Sequence, residues 1–95
     1  SSLSPFAQSV RNLVAAQLAL VRRNAPATLA LAARPVLPQH EAARLFLTAQ
    51  AHELARQPKQ AVPFYTNAVR LTPLAGWLVA PAARLLRQQG RVPQA

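Results

Sequence analysis

Apolar residues recur through the first twenty positions at the spacing of one helical face, and a serine–proline pair precedes them. Serine is a preferred N-cap and proline is well tolerated in a first turn, so we expect a helix from about Pro5 to Arg22. A folded helix needs such an apolar stripe to pack against its neighbours. The stripe consists of Phe6, Val10, Leu13, Val14, Leu18 and Val21.

Proline-containing connectors divide the rest of the chain into further helical segments. The second helix must stop before Pro35, because the residue that precedes a proline disfavours helical geometry. Gly90 is a candidate C-terminal cap for the last one. No segment alternates apolar and polar residues for long enough to form a strand, so we predict an all-α fold of about five helices. The later helices are expected at about 26–34, 39–56, 60–71 and 74–89.

Pro63 is the residue that conflicts most with this pattern. An interior proline removes a backbone hydrogen bond and costs on the order of 3 kcal/mol, whereas a proline in the first turn removes none. We therefore expect the fourth helix to start near Gln60 or Ala61, with Gln57-Pro58-Lys59 as the turn before it. An earlier start should produce a bend at Pro63.

The chain also matches itself when it is shifted by about 34 residues, a period typical of helical repeat arrays. Small residues fall on small residues, and bulky residues fall on bulky ones. Small side chains are needed where two helices of a hairpin cross closely, since larger ones would hold the backbones apart. The matched pairs are Leu45–Val79, Ala49–Ala83, Ala15–Ala49, Ala27–Ala61 and Leu31–Tyr65.

Residues 42–75 carry an ordered series of bulky, small and aromatic positions that ends in a proline. The series is Leu45, Ala49, His52, Ala61, Tyr65, Ala68 and Pro73. In this order it resembles a unit of the tetratricopeptide repeat family. The chain departs from the family pattern at Thr48, His52 and Arg56, where the family usually has leucine, tyrosine and glycine.

The resemblance extends, more loosely, to the rest of the chain. Residues 5–38 look like a degenerate unit, and residues 76–95 look like the first part of a further one. The resemblance implies that residues 1–95 form one domain of antiparallel helical hairpins stacked as a right-handed superhelix. It also implies a protein-interaction or scaffold module that binds a peptide or a partner subunit.

In this family the first helix of each hairpin lines a concave groove. Trp77 can share one helical face with two arginines that follow it by seven and ten residues. Packing of Trp77 between helices is the alternative. Carried over to this chain, the resemblance implies a partner-binding groove lined by Phe46, Gln50, Glu53, Trp77, Arg84 and Arg87.

The formal net charge of +9 suggests an acidic partner. A protein or peptide is the first possibility, and RNA or DNA bound by a helical repeat is the alternative. Several arginines also stand where helices are expected to end, and each would stabilise its helix dipole by about 0.3–1 kcal/mol. These are Arg22, Arg23, Arg34, Arg56, Arg70 and Arg87.

Two His-Glu pairs, at residues 40–41 and 52–53, each look like half of a zinc-protease motif. That motif needs a second histidine four residues after the first, and Arg44 and Arg56 occupy those places. The two pairs are also about 18 Å apart along one helix, too far for a shared metal or for paired carboxylate catalysis. We predict no catalytic, metal or cofactor site and no enzyme, and we expect each glutamate to pair with the arginine three residues later.

The chain begins with serine and contains no methionine, so we expect a processed or partial piece of a longer protein. No apolar stretch is long enough to span a membrane. No acidic residue precedes Glu41, which also fits an organellar transit peptide. We expect an intracellular protein, with the cytoplasm favoured over an organelle. An uncovered apolar face on the last predicted helix suggests homodimerisation through Leu78, Leu85 and Leu86.

Overall fold

In a computed structural model of the chain, residues 3–71 are described, and they form two helical hairpins. No strand occurs within residues 3–71, so the all-α prediction is confirmed for this part of the chain. The fifth helix expected at 74–89 lies outside the described residues. The elements are α1 (Pro5–Val21), α2 (Ala25–Ala32), a 3₁₀ turn (Pro38–His40), α3 (Glu41–Leu54) and α4 (Pro58–Leu71).

The side chains that precede α1 and α2 cap their first turns. Oγ of Ser4 accepts a hydrogen bond from the N–H of Ala7 at 3.1 Å, and Oδ1 of Asn24 accepts one from the N–H of Ala27 at 3.1 Å. Each side chain thereby satisfies a donor that has no partner inside its helix. The start of α1 at Pro5 agrees with the sequence prediction, and its end at Val21 differs by one residue.

Both hairpins turn through the same backbone motif. In the first, the N–H of Arg23 donates to the carbonyl of Leu20, and the N–H of Asn24 donates to the carbonyl of Ala19, each at 2.9 Å. These two bonds define a Schellman motif, in which the residue after the C-cap is left-handed. Arg23 has φ 59°, and Arg56 has φ 61° at the corresponding place in the second hairpin.

The second turn repeats the bonding of the first. The N–H of Arg56 donates to the carbonyl of Glu53 at 2.9 Å, and the N–H of Gln57 donates to the carbonyl of His52 at 2.8 Å. A left-handed residue other than glycine is disfavoured by roughly 1–2 kcal/mol. Two closing bonds per turn hold both arginines in this conformation.

Small buried residues form the seams between the helices. Helix α1 packs against α2 and α3, α2 packs against α3, and α3 packs against α4. Ala16, Ala49 and Ala61 are completely buried. The buried residues form two apolar clusters, one around Ala16 and Leu47 and one around Ala49 and Tyr65. The small side chains let the backbones approach closely.

The left-handed Arg23 of the first hairpin corresponds to the left-handed Arg56 of the second. The structural repeat defined by this pair is one residue shorter than the period of about 34 residues expected from the sequence. Ala16, which is completely buried, therefore corresponds to Ala49, which is also completely buried. The match of Ala15 with Ala49 is wrong by one position, because a shift of one residue rotates a helix by about 100° and moves the equivalent side chain out of the seam.

Polar side chains of α1 hold the connector between α2 and α3. Oγ of Ser9 accepts a hydrogen bond from the N–H of Leu37 at 2.9 Å and lies 2.6 Å from Nδ1 of His40. The side-chain amide of Asn12 donates to the carbonyl of Pro35 at 2.9 Å. The beginning of α3 is thereby attached to the first half of α1, so the two helices start at the same end of the molecule.

Helix α4 begins earlier than the sequence predicts. It starts at Pro58 and continues through Pro63 to Leu71, so the expected start near Gln60 is wrong, and Pro63 lies in the second turn. Pro58 is well suited to a first helical position because its missing N–H would have no partner there. Pro63 has no N–H to donate to the carbonyl of Lys59, and both residues are exposed.

The two prolines of α4 should respond to replacement in opposite ways. Pro63→Ala supplies a donor for the carbonyl of Lys59 and should raise the free energy of unfolding by about 1–3 kcal/mol. Pro58→Ala is the matched control and should leave stability unchanged or slightly lower, because proline at this position is preorganised. Urea unfolding followed by circular dichroism measures both. Equal effects of the two replacements would contradict this assignment of the helix start.

Candidate functional site

An open groove of about 610 Å³ runs between α1 and α3. The two helices lie side by side in the same direction, since Ser9 contacts the connector before α3 and Val21 lies near Gln50 and Leu54 at the other end. The groove is lined by Leu13, Val14, Gln17, Leu18, Val21, Ala43, Phe46, Leu47 and Gln50.

The α1 wall of the groove consists of large apolar side chains that face solvent. Val14, Leu18 and Val21 are 60%, 47% and 67% exposed. They follow one another at intervals of four and three residues, which places them on one helical face. An exposed apolar stripe beside a groove is typical of a surface that binds another molecule.

These exposures correct the expectation that the apolar stripe of α1 packs against its neighbours. Ser9, Ala16 and Ala19 are the buried residues of α1, and they lie on the opposite side of the helix from Val14. Phe6 is 57% exposed, and its ring contacts that of His40 with centroids 5.6 Å apart. Leu13 is half-buried and packs against the cluster around Ala16.

The α3 wall of the groove is built on an aromatic contact. Phe46 packs edge-on against Tyr65 of α4, with ring centroids 5.5 Å apart and an interplanar angle of 66°. Tyr65 is almost completely buried, and its hydroxyl donates a hydrogen bond to Oε1 of Glu53. Phe46 and Glu53 are thus both held by Tyr65, which fixes the α3 wall against α4.

The three predicted groove residues within the described part of the chain share one surface. Phe46 and Gln50 line the main groove. Gln50 and Glu53 line a smaller depression that continues from it toward the hairpin turns and also contacts Arg23. Other predicted residues lie outside the described residues: Trp77, Arg84 and Arg87 of the groove, and Leu78, Leu85 and Leu86 of the self-association surface.

The α1 wall of this groove is absent from the sequence-based prediction of the site. Apolar periodicity places Val14, Leu18 and Val21 in one stripe and favours a packing role for them. The signal that separates the two faces of α1 is the series Ser9, Ala16 and Ala19. Where helices cross closely, the small residues mark the contact, so the larger apolar residues lie on the other face.

The two His-Glu pairs make contacts within the fold. The ring of His52 stacks on Phe64 with centroids 5.4 Å apart, and its Nδ1 lies 3.0 Å from Oε1 of Gln57. The pairing expected between Glu53 and Arg56 is not formed, because Arg56 leaves the helix in the left-handed turn. Within residues 3–71, no three metal-binding side chains come together.

Glu41 and Arg44 form the one salt bridge between described residues, as the sequence predicts. Nε and Nη2 of Arg44 donate to the two carboxylate oxygens at 2.8 and 2.6 Å. Nη1 donates to the carbonyl of Ala32 at 3.1 Å, so Arg44 also caps the end of α2. Hydrogen bonding to Arg44 lowers the pKa of Glu41, and the same contact raises the pKa of Arg44, against an opposing effect of partial burial on each.

The lowered pKa of Glu41 makes the stability of the protein depend on pH. The pair stabilises the fold above the ordinary carboxyl pKa of 4.5, and this contribution is lost as the pH falls through the lowered pKa. Glu41→Gln should therefore reduce the free energy of unfolding at pH 7 by a few tenths to about 1 kcal/mol, because the carboxylate is partly exposed. The difference from wild type should shrink as the pH falls below 4.5 and vanish once Glu41 is protonated in the folded state.

Urea unfolding at several pH values measures this effect. In an Arg44→Gln background, the further replacement Glu41→Gln should produce no pH-dependent change in stability. A difference that persists unchanged at low pH, or in that background, would show that another contact is responsible.

Within residues 3–71, no helix has both the length and the apolar character needed to cross a membrane. Comparison with protein-family models, with curated proteins and with solved structures found no match to this chain.

Proposed function

We propose that the chain is a protein-interaction module that binds a partner segment in the groove between α1 and α3. The observation that carries this proposal is the exposure of Val14, Leu18 and Val21 along the groove. Large apolar side chains remain in water at a free-energy cost of about 25 cal/mol per Å² that burial would remove. A partner that covers the stripe would recover this energy.

The repeated hairpins support a module of the tetratricopeptide type. The left-handed residues Arg23 and Arg56 stand at the same place in the two hairpins, and each closes its hairpin with the same pair of hydrogen bonds. The groove lies between the first helices of the two hairpins, which is the face that the family uses. The unusual arginine at the place of the family's turn glycine takes the left-handed conformation that glycine would take.

The groove provides an anchor of the kind that strong interfaces use. Phe46 contributes an aromatic ring that packs against Tyr65, and Gln17 and Gln50 add hydrogen-bonding groups to the lining of the groove. Strong interfaces combine preorganised aromatic anchors with hydrogen bonds. The groove is therefore suited to the side chains of a bound peptide.

Selection from a library of displayed helical and extended peptides tests the proposal on the full chain. Peptides that bind the wild type should carry regularly spaced apolar residues. Val14→Asp/Leu18→Asp should weaken the binding of these peptides at least tenfold, because the bound state would place two carboxylates against the apolar side chains of the peptide. Both positions are exposed, so the helical content and the unfolding midpoint should change little.

Ala30→Asp is the matched control, since Ala30 is exposed on α2 and lies outside the groove. It should leave peptide affinity within about twofold of the wild-type value. Failure to enrich any peptide, or enrichment of peptides that bind the Val14→Asp/Leu18→Asp variant equally well, would contradict the proposal.

A further inference from the structure

We infer that the groove binds an amphipathic helix of a different protein, and that acidic residues along one edge of this helix contact Arg11 and Arg22. The inference rests on the proposed function and adds the shape and the charge of the partner. It is carried by the position of two exposed arginines beside the apolar stripe of α1 and by the scarcity of acidic residues in this chain.

The groove has the form of a seat for a helix. On their other side, α1 and α3 are already bridged by α2, which packs against both. The space between two parallel neighbouring helices therefore accepts a third helix in this molecule. On the open side, Val14, Leu18 and Val21 provide a ridge at helical intervals, into which the apolar stripe of an incoming helix can interdigitate.

Arg11 and Arg22 flank this ridge on one side. They are eleven residues apart, which corresponds to three helical turns, roughly 16 Å along the axis, and an angular difference of about 20°. Both are exposed, and helical periodicity places them next to Leu18, on the side of the stripe away from α3. They form a pair of positive charges parallel to the groove.

No acidic side chain of α1 neutralises these arginines. The chain contains two acidic residues, Glu41 and Glu53. The carboxylate of Glu41 is bound by Arg44 at 2.6 Å, and that of Glu53 accepts a hydrogen bond from the hydroxyl of Tyr65. The positive charge along the α1 edge is therefore available for carboxylates of another molecule.

The same scarcity of acids decides between possible occupants. Residues 72–95 contain no aspartate or glutamate, so that segment supplies no side-chain carboxylate for this edge. A second copy of this chain brings the same two glutamates, both already engaged. A nucleic acid supplies negative charge but offers no apolar side chains to cover the stripe of Val14, Leu18 and Val21. An acidic amphipathic helix of another protein matches both features.

The experiment uses helical peptides selected on the full chain from a library in which the apolar stripe is fixed and all other positions are varied. The enriched peptides should carry aspartate or glutamate along one edge of the stripe, at separations close to three turns. Arg11→Glu/Arg22→Glu should weaken their binding about tenfold by fluorescence anisotropy. Replacing the acids of a peptide with lysine should restore its affinity for that variant.

Two further variants separate charge at the groove from other effects. Arg34→Glu/Arg70→Glu makes the same change in net charge near the ends of α2 and α4, outside the groove, and should alter affinity less than twofold. Arg11→Gln/Arg22→Gln removes the charges without introducing repulsion and should reduce the dependence of affinity on salt. Circular dichroism checks that every variant remains folded.

The possible outcomes distinguish this inference from the proposed function. The inference would be overturned if the selected peptides carry no acidic residues and bind the arginine variants as tightly as the wild type. If the same peptides lose affinity for Val14→Asp/Leu18→Asp, the groove remains the binding site. Peptides displaced by a short single-stranded RNA that requires Arg11 and Arg22 would overturn it in favour of nucleic acid. Absence of any enriched peptide would overturn both.

Discussion

Close contact between helices at small side chains determines how the helices of this protein are arranged. Ala16, Ala49 and Ala61 are completely buried, as is Thr28, and each lies where one helix meets another. A larger side chain at such a position would force the backbones apart or leave its rotamer minimum, at a cost of about 1–3 kcal/mol. The helices therefore approach one another most closely at these small residues.

The exposed apolar stripe is a direct consequence of this constraint. Helix α1 turns Ser9, Ala16 and Ala19 toward its neighbours. Val14, Leu18 and Val21 therefore lie on the opposite face, where no helix among the described residues covers them. The aromatic residues are distributed differently, since Phe46 and Tyr65 pack against each other between α3 and α4. One hairpin thus has a filled aromatic core, and the other presents its large apolar residues to solvent beside the groove.

Local signals predict the helices well, whereas the direction in which each helix faces depends on the tertiary structure. The Ser4–Pro5 start of α1 is determined by capping within one turn, and the sequence is sufficient to find it. The start of α4 is different, because the sequence offers two prolines and favours placing Pro63, not Pro58, in the first turn. In the structure, helix packing against α3 outweighs the hydrogen bond that is missing at Pro63.

For the same reason, the sequence predicts the α3 wall of the groove and misses the α1 wall. Phe46, Gln50 and Glu53 follow from the family resemblance, and they share a surface. The α1 wall does not follow from the sequence, because Val14 and Leu18 are apolar and apolar periodicity alone does not distinguish a buried face from an exposed one. The one-residue error in the repeat spacing has a similar origin, since Ala15 and Ala16 are identical in sequence and differ only in burial.

Cysteine labelling measures the orientation of α1, because the chain has no native cysteine. Val14→Cys and Ala16→Cys would be alkylated in separate samples, each compared with the same variant unfolded in urea. We predict that the thiol at position 14 reacts within about tenfold of its unfolded rate. The thiol at position 16 should react at least about 100-fold more slowly than its unfolded reference, because it must wait for local opening. Protection at position 14 together with rapid labelling at position 16 would show that α1 faces the opposite way.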